Sequence, residues 1–222
     1  MSWDWDYTRA FLPDLLAGLW TAVQATALGS VLAFALGLVW ALLLRSGSRW
    51  VTYPVHGAVE FVRNTPLLVQ LFFLFYVLPS TGIAFSPLAT GIIGLGLHYS
   101  TYTAEVYRAG IDAVPRGQWE AATALSLPRT RVWTSVVLPQ AIRRVVPPLG
   151  NYILSMFKDT PMLSAITVLE MLKRAQEVGA ESFRYLEPIT VVGVLFVLVA
   201  YPTSLALRAL ERRVAGPVAT AR

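Results

Sequence analysis

The chain of 222 residues contains no cysteine, which excludes disulfides, thiolate metal sites and a cysteine nucleophile. Histidine is almost as scarce. His56 and His98 are the only imidazoles and lie far apart in sequence, so no paired metal ligands and no HExxH motif are present. No GxxxxGK[ST] phosphate loop occurs anywhere, so the chain has no ATP-hydrolysing site of that kind. Charged residues make up only 14%, against roughly 25% in an ordinary soluble domain. The opening stretch MSWDWDYTRAFLPDLLAG carries Asp4, Asp6 and Asp14 in place of a basic leader region, so the first apolar segment is expected to stay in the mature protein.

What is present is apolar. Hydrophobic residues reach 55% and the mean hydropathy is +0.57, a balance suited to a bilayer rather than to water. The net charge of +5 sits between apolar runs, so it points to membrane topology and not to nucleic-acid binding.

No charged residue stands between Asp14 and Arg45, enough chain to cross a hydrocarbon core of ~30 Å. A first spanning helix is expected over 15–44, with Trp20 and Trp40 near its two ends as interfacial aromatics. Asn64 to Ala104 is again free of Asp, Glu, Lys and Arg, broken by Pro79-Ser80-Thr81-Gly82, and predicts helices over 56–78 and 87–108. A fourth helix is expected over 145–169, interrupted by Lys158-Asp159, and a fifth over 189–207. The charged, amphipathic stretch from Glu170 to Glu187 suits a short interfacial helix. Counting Lys and Arg in the short loops places Arg45, Arg63, Arg108, Arg129 and Arg144 on one side and Arg9, Lys173 and Arg184 on the other, which predicts an N-terminus outside and a C-terminus inside. No internal repeat or linker divides the chain, so one domain over 1–222 is expected, with a fraying tail from Ala215.

The most informative passage runs from Val114 to Asn151, VPRGQWEAATALSLPRTRVWTSVVLPQAIRRVVPPLGN. Pro115 can open a helix because the first turn needs no donor there, and Trp119 to Leu125 are good helix formers. Ala121 and Ala122 are small enough for another backbone to come close, Glu120 can pair with a cation on a partner, and Ser126-Leu127-Pro128 ends the helix. The plainer reading is an amphipathic connection between two membrane helices.

Glu120-Ala121-Ala122, Ser126 and Leu138-Pro139 resemble the EAA loop of ABC importer permeases. The resemblance implies that the coupling loop over 114–139, with Gln118, Glu120, Ala121, Ala122, Leu125 and Ser126 as its contact residues, docks on a separate ATP-hydrolysing subunit. ATP and Mg would then bind that partner, with no cofactor on this chain. One departure is that Ser126 stands where the family has glycine, a substitution worth on the order of 1 kcal/mol if the position is left-handed. VEFVRNTPLLVQLFFLFYVLP, TAEVYRAGIDAVPRGQWEAA and PPLGNYILSMFKDTPMLSAI look like the polar amino acid uptake permeases. That resemblance implies an all-α, MetI-like transmembrane domain of five spanning helices plus a cytoplasmic coupling helix. It implies a paired permease of like or different sequence, two ATPase subunits, an extracytoplasmic solute-binding protein and a bacterial inner-membrane location. The opening WDWD, GLGLHYSTYTAEVYRAGIDAVPRGQWEAA, SAITVLEML and ESFRYLEP look most like the ectoine/hydroxyectoine importer permeases, with arginine, histidine or glutamine as alternative solutes.

Polar groups inside a membrane usually face a bundle interior or a wet cavity. His98, Thr101, Tyr102 and Glu105 follow the i, i+3, i+4 rule and are expected on one helix face lining a solute path. The plainer reading is that Ser100 and Thr101 bond back to their own helix and Glu105 pairs with a nearby arginine. Asn151, Ser155, Lys158 and Asp159 form a second candidate group, in which Lys158 and Asp159 point about 100° apart. Pro161 is expected to kink or break the fourth helix. A passive channel would also use such residues but leaves the Glu120 loop without a role. A membrane-embedded enzyme would need His98 and Glu105 as an acid-base pair.

Overall fold

The computed structural model describes residues 3–215. The expected fraying of the tail beyond Ala215 lies outside the described residues.

The first helix, α1 (Trp5–Leu44), starts ten residues earlier than expected because Asp4 caps it. Asp4 Oδ1 accepts from the backbone N–H groups of Asp6 and Tyr7, both at 3.0 Å, satisfying two of the donors a helix start leaves free. Along α1 the residues Ala22, Ala25, Gly29, Ala33, Gly37 and Ala41 are buried, a small-residue seam that lets a second helix lie close. That helix is α4 (Pro87–Asp112), whose start is capped by the Ser86 hydroxyl. A Cβ added to Gly37 would strike the Thr103 hydroxyl and stand 2.9 Å from the Ser100 carbonyl oxygen. Thr103 Oγ1 donates to the Ala33 carbonyl at 2.9 Å, so the two backbones are bridged where they approach.

The expected helix over 56–78 is corrected. It begins at Arg49 and breaks into α2 (Arg49–Asn64) and α3 (Leu67–Phe72), with the helical run going on through a π turn to Thr81. The two pieces meet at 103°. Pro66 is the cause: its ring pushes the preceding Thr65 out of helical geometry, to φ −92 and ψ 132, and it offers no N–H to continue the ladder.

The fourth helix is corrected as well. Helical structure runs without interruption from α6 (Arg129–Arg131) through a π turn into α7 (Leu138–Asp159), then tightens to a 3₁₀ segment over Thr160–Ile166. Pro161 falls in the first turn of that segment, so it changes the winding instead of ending the helix. Thr167 (φ 64) then reverses the chain in left-handed geometry. Between α4 and α6 lies α5 (Arg116–Ala124). After the reversal come α8 (Met171–Ser182) and α9 (Leu186–Ala215). The described residues contain no strand.

By length and composition α1 and α9 qualify as membrane spans, and the bent α2–α3 pair as a third. α4 and α7 are less apolar, because α4 carries His98, Tyr99 and Tyr102 and α7 carries Arg143, Arg144, Asn151 and Lys158. Two core clusters fill the bundle, one where Leu71, Leu95, Met156 and Leu163 meet the α1 seam, the other around Leu15, Phe157, Met171 and Val192. The arginine-bearing ends of α1, α2, α4 and α7 gather at one end of the bundle, the basic end, where Arg45 pairs with Asp112 and Arg108 with Glu105. The opposite end is tied by Arg184, which bonds Asp4 and Glu187 and stacks over Tyr7.

Candidate functional site

Two groups of residues stand out, one at the basic end and one inside the bundle.

At the basic end α5 lies across the start of the α6–α7 run. A small core of Val114, Val137 and Ala141 and an edge-to-face contact of Trp119 with Trp133, ring centres 5.5 Å apart, hold it there. Ala122 is buried, so its small size serves packing on its own chain. Gln118, Glu120, Ala121, Leu125 and Ser126 are exposed, and Leu125 is 73% exposed. Gln118 Oε1 accepts a long bond from Gln140 at 3.4 Å. Glu120 makes no ion pair among the described residues.

The end of α5 is a Schellman turn. Leu127 N–H donates to the Ala122 carbonyl at 3.1 Å and Ser126 N–H to Thr123 at 2.9 Å, the pair of bonds that closes a helix through a left-handed residue. That residue is Ser126, with φ 54. The chain therefore keeps the left-handed bend that glycine would adopt more easily. Behind the bend a cavity of about 630 Å³ opens, lined by Trp119, Thr123, Arg129 and Trp133.

Inside the bundle α4 presents His98, Tyr99 and Tyr102 to α7. Tyr99 Oη donates to Asp159 Oδ2 at 2.7 Å, and Tyr152, seven residues before Asp159 on the same face of α7, stacks near both tyrosines at 6.0 and 5.7 Å. His98 lies 5.3 Å from the Tyr102 ring, and its Nδ1 is 3.0 Å from Gln70 Nε2. The same Gln70 amide donates to the carbonyls of Val62 at 2.7 Å and Thr65 at 2.9 Å, groups freed by the break at Pro66. Two hydrogens thus serve three acceptors, and Gln70 Oε1 is buried with no partner among the described residues.

The expected grouping on α4 is only partly met in space. Thr101 is buried and donates back to the His98 carbonyl at 2.8 Å, because the face is centred toward Tyr99 and leaves Thr101 on its inner flank. Glu105 sits toward the basic end, 3.0 Å from Arg108 and 3.8 Å from Arg63. The second group splits between two faces of α7. Asp159 joins the tyrosines, whereas Asn151, Ser155 and Lys158, spaced i, i+4 and i+7, face away. Asn151 donates to Glu211 of α9 at 3.2 Å, and Lys158 lies in an open groove between α7 and α9. Tyr99 completes the internal site together with Tyr152 and Gln70, the last two without having been grouped with it from sequence. The i, i+7 spacing of Tyr152 and Asp159 was the available signal. Trp40, expected as an interfacial aromatic, instead donates from Nε1 to Ser100 Oγ at 3.0 Å, while Trp20 is exposed.

This set brings a carboxylate, an imidazole and three tyrosine rings together inside the bundle. No cluster fit to hold a metal ion occurs among the described residues.

The family of binding-protein-dependent transport system inner membrane components matches residues 33–216. The chain belongs to this family. A probable amino-acid ABC transporter permease of Sinorhizobium fredii is 48% identical over 92% of this chain and 89% of its own length. The L-cystine transport system permease of Bacillus subtilis is 35% identical, covering 94% and 90%. The glutamine transport system permease of Escherichia coli K12 is 32% identical, covering 96% and 98%. A solved structure described as an amino acid ABC transporter with histidines superposes with a TM-score of 0.90 at 30% identity, over 96% of this chain and all of that one. The all-helical, MetI-like ABC importer transmembrane fold is thereby established, and with it a membrane permease subunit.

Proposed function

We propose that the chain is the permease subunit of an ABC importer for a polar amino acid, driven through α5 by ATP hydrolysis on a separate subunit. The observation that carries this reading is the shape of the α5 elbow. A short helix is pinned to its own chain by Trp119 and Ala122 and leaves Glu120, Ala121 and Leu125 outward. Its left-handed exit at Ser126 turns directly into the helix that carries Asp159. A push on the elbow therefore moves α7 and the Tyr99–Asp159 bond at its far end.

In this reading ATP and Mg bind two copies of the partner ATPase and no cofactor binds this chain. The basic end faces the cytoplasm, so the N-terminus lies outside and the C-terminus inside the bacterial inner membrane. A second permease subunit and an extracytoplasmic solute-binding protein complete the assembly, and 1–222 acts as one domain. Asp159 and the faces of Tyr102 and Tyr152 suit the ammonium of a zwitterion crossing the bundle. The names of the relatives favour glutamine, cystine or arginine as solute. Ectoine is the second reading and rests on sequence stretches alone, among them WDWD and ESFRYLEP.

The test is Glu120→Lys in the reconstituted complex, measuring uptake and ATP hydrolysis together. Uptake is expected to fall at least tenfold with membrane insertion intact. Unaltered uptake would remove the docking role from α5.

A further inference from the structure

The linker after α1 and the first turns of α2 carry charge of one sign. Between Leu44 and Val59 stand Arg45 and Arg49 and no carboxylate. Arg45 is taken by Asp112, whereas Arg49 is exposed and forms no ion pair among the described residues. It sits in the first turn of α2, where no acidic residue stands and where a cation opposes the helix dipole. Around α2, at about 100° per residue, Arg49, His56, Glu60 and Arg63 fall in an arc of about 60°. Trp50, Val51, Pro54, Ala58, Phe61 and Val62 fall in an arc of about 120° on the other side. Val59, between the two arcs, is buried, and α2 touches α1 and α4. Trp50 and Phe61, by contrast, are 92% and 74% exposed.

The depth of α2 follows from α4. From Pro87 through Ala104 that helix has no Asp, Glu, Lys or Arg, a stretch of 18 residues (104 − 87 + 1). At 1.5 Å per residue it measures about 27 Å, close to a hydrocarbon core of ~30 Å. Glu105 therefore marks the level at which the core ends. Arg63, in the last turn of α2, lies 3.8 Å from Glu105, so α2 is fastened at that level. The neighbouring α3 runs along α4 in the opposite sense, since Gln70 meets His98 and a Cβ on Gly94 would touch Leu71 and Leu74. Standing at 103° to α3, α2 crosses the bundle instead of following it, along the boundary between acyl chains and headgroups.

We propose that α2 is an in-plane helix that docks on anionic phospholipid in the leaflet at the basic end. Trp50 and Phe61 enter the acyl region beside the headgroups, the depth that aromatic side chains favour. Arg49 meets a lipid phosphate, which supplies the anion that the first turn lacks. The charge-poor apolar arc faces hydrocarbon, and the arc holding His56 and Glu60 faces water. Charge complementarity selects the lipid: an exposed arginine beside an exposed tryptophan, with no carboxylate nearby in sequence, suits a headgroup of net negative charge better than a zwitterionic one. The inference does not depend on α5, on the solute or on which side of the membrane the basic end faces.

Because the chain lacks cysteine, spin labels can be placed one at a time. Ala58→Cys, Phe61→Cys and His56→Cys are labelled in the full complex, its other subunits made cysteine-free, in lipid nanodiscs. Collision of each label with oxygen, which concentrates in hydrocarbon, is compared with collision with a water-soluble nickel chelate. The oxygen-to-nickel ratio is expected to be roughly threefold higher at positions 58 and 61 than at 56. At position 61 it is expected to rise about twofold when phosphatidylcholine is replaced by an equal mixture with phosphatidylglycerol. Arg49→Gln is expected to abolish that rise and Arg49→Lys to keep it. Labels at 58 and 61 that collide freely with nickel, or that are shielded from both reagents by another protein surface, overturn the proposal. So does a ratio that ignores phosphatidylglycerol, or one that responds equally in Arg49→Gln. None of these readings requires transport, so they stand apart from the outcome of Glu120→Lys.

Discussion

Ser126 holds a conformation that costs an L-residue about 1 kcal/mol relative to glycine, and it does so where the resemblance to the EAA loop placed a glycine. The φ of 54 shows that the departure lies in the residue and not in the turn. Ser126→Gly is accordingly expected to raise stability by about 1 kcal/mol and to leave coupling intact, read as a higher thermal midpoint with unchanged uptake per ATP. This residue was legible because a motif of fixed spacing marked it. Thr167 and Phe183 are also left-handed, yet no local pattern announces them, since their geometry is imposed by packing at the chain reversal and at the end of α8. Glu170 is of the same kind. It lies in the turn outside the spanning helices, is fully buried, and caps α8 by accepting from Leu172 and Lys173. Burial outweighs those two bonds and pushes its carboxyl from 4.5 up to about 7. The folded state therefore holds the proton more tightly than the unfolded state. The stability that this proton contributes is full below pH 4.5 and gone above about 7. Glu170→Gln is expected to flatten the decline in thermal midpoint between pH 5 and 8, as measured in lipid nanodiscs.

Tyr99 and Asp159 form the side-chain bond that couples α4 to α7. A hydrogen bond to a charged group contributes about 1.5–3 kcal/mol, so Tyr99→Phe is expected to lower stability by that order and to cut uptake at least fivefold. Uptake that survives unchanged would take the pair out of the transport path. At this scale the long charge-free run made α1 readable, because length and apolar composition mark a helix able to cross lipid, and Ser86-Pro87 marked the start of α4. Two of the elements read with wrong bounds turn on proline. Pro66 breaks the expected 56–78 helix at 103°, whereas Pro147 and Pro148 sit inside α7 without stopping it. The difference lies in the neighbours. Gln70 takes up the carbonyls released at Thr65 and Val62, which lets the chain turn there, while α7 is clamped on both sides by α4 and α9.

Across the whole molecule, the machinery was more readable than its cargo. The elbow is a motif of fixed local spacing, whereas the internal side chains come from helices distant in sequence and are brought together only on folding. His98 and Asp159 are 61 positions apart (159 − 98), and nothing local ties them. The cargo is therefore a question for the assembled transporter. Binding protein loaded with glutamine, cystine or arginine is expected to stimulate ATP hydrolysis several-fold, and ectoine-loaded protein to leave it near baseline. Stimulation by ectoine alone would reverse the order of the two readings. The joint at Pro66 bears on how far any such stroke travels. The 16 residues of α2 form a rod of about 24 Å, set nearly square to the segment it leaves. For each degree of rotation at the joint, the Arg49 end of such an arm sweeps about 0.4 Å, so a turn of about 8° carries the rim roughly the width of an atom.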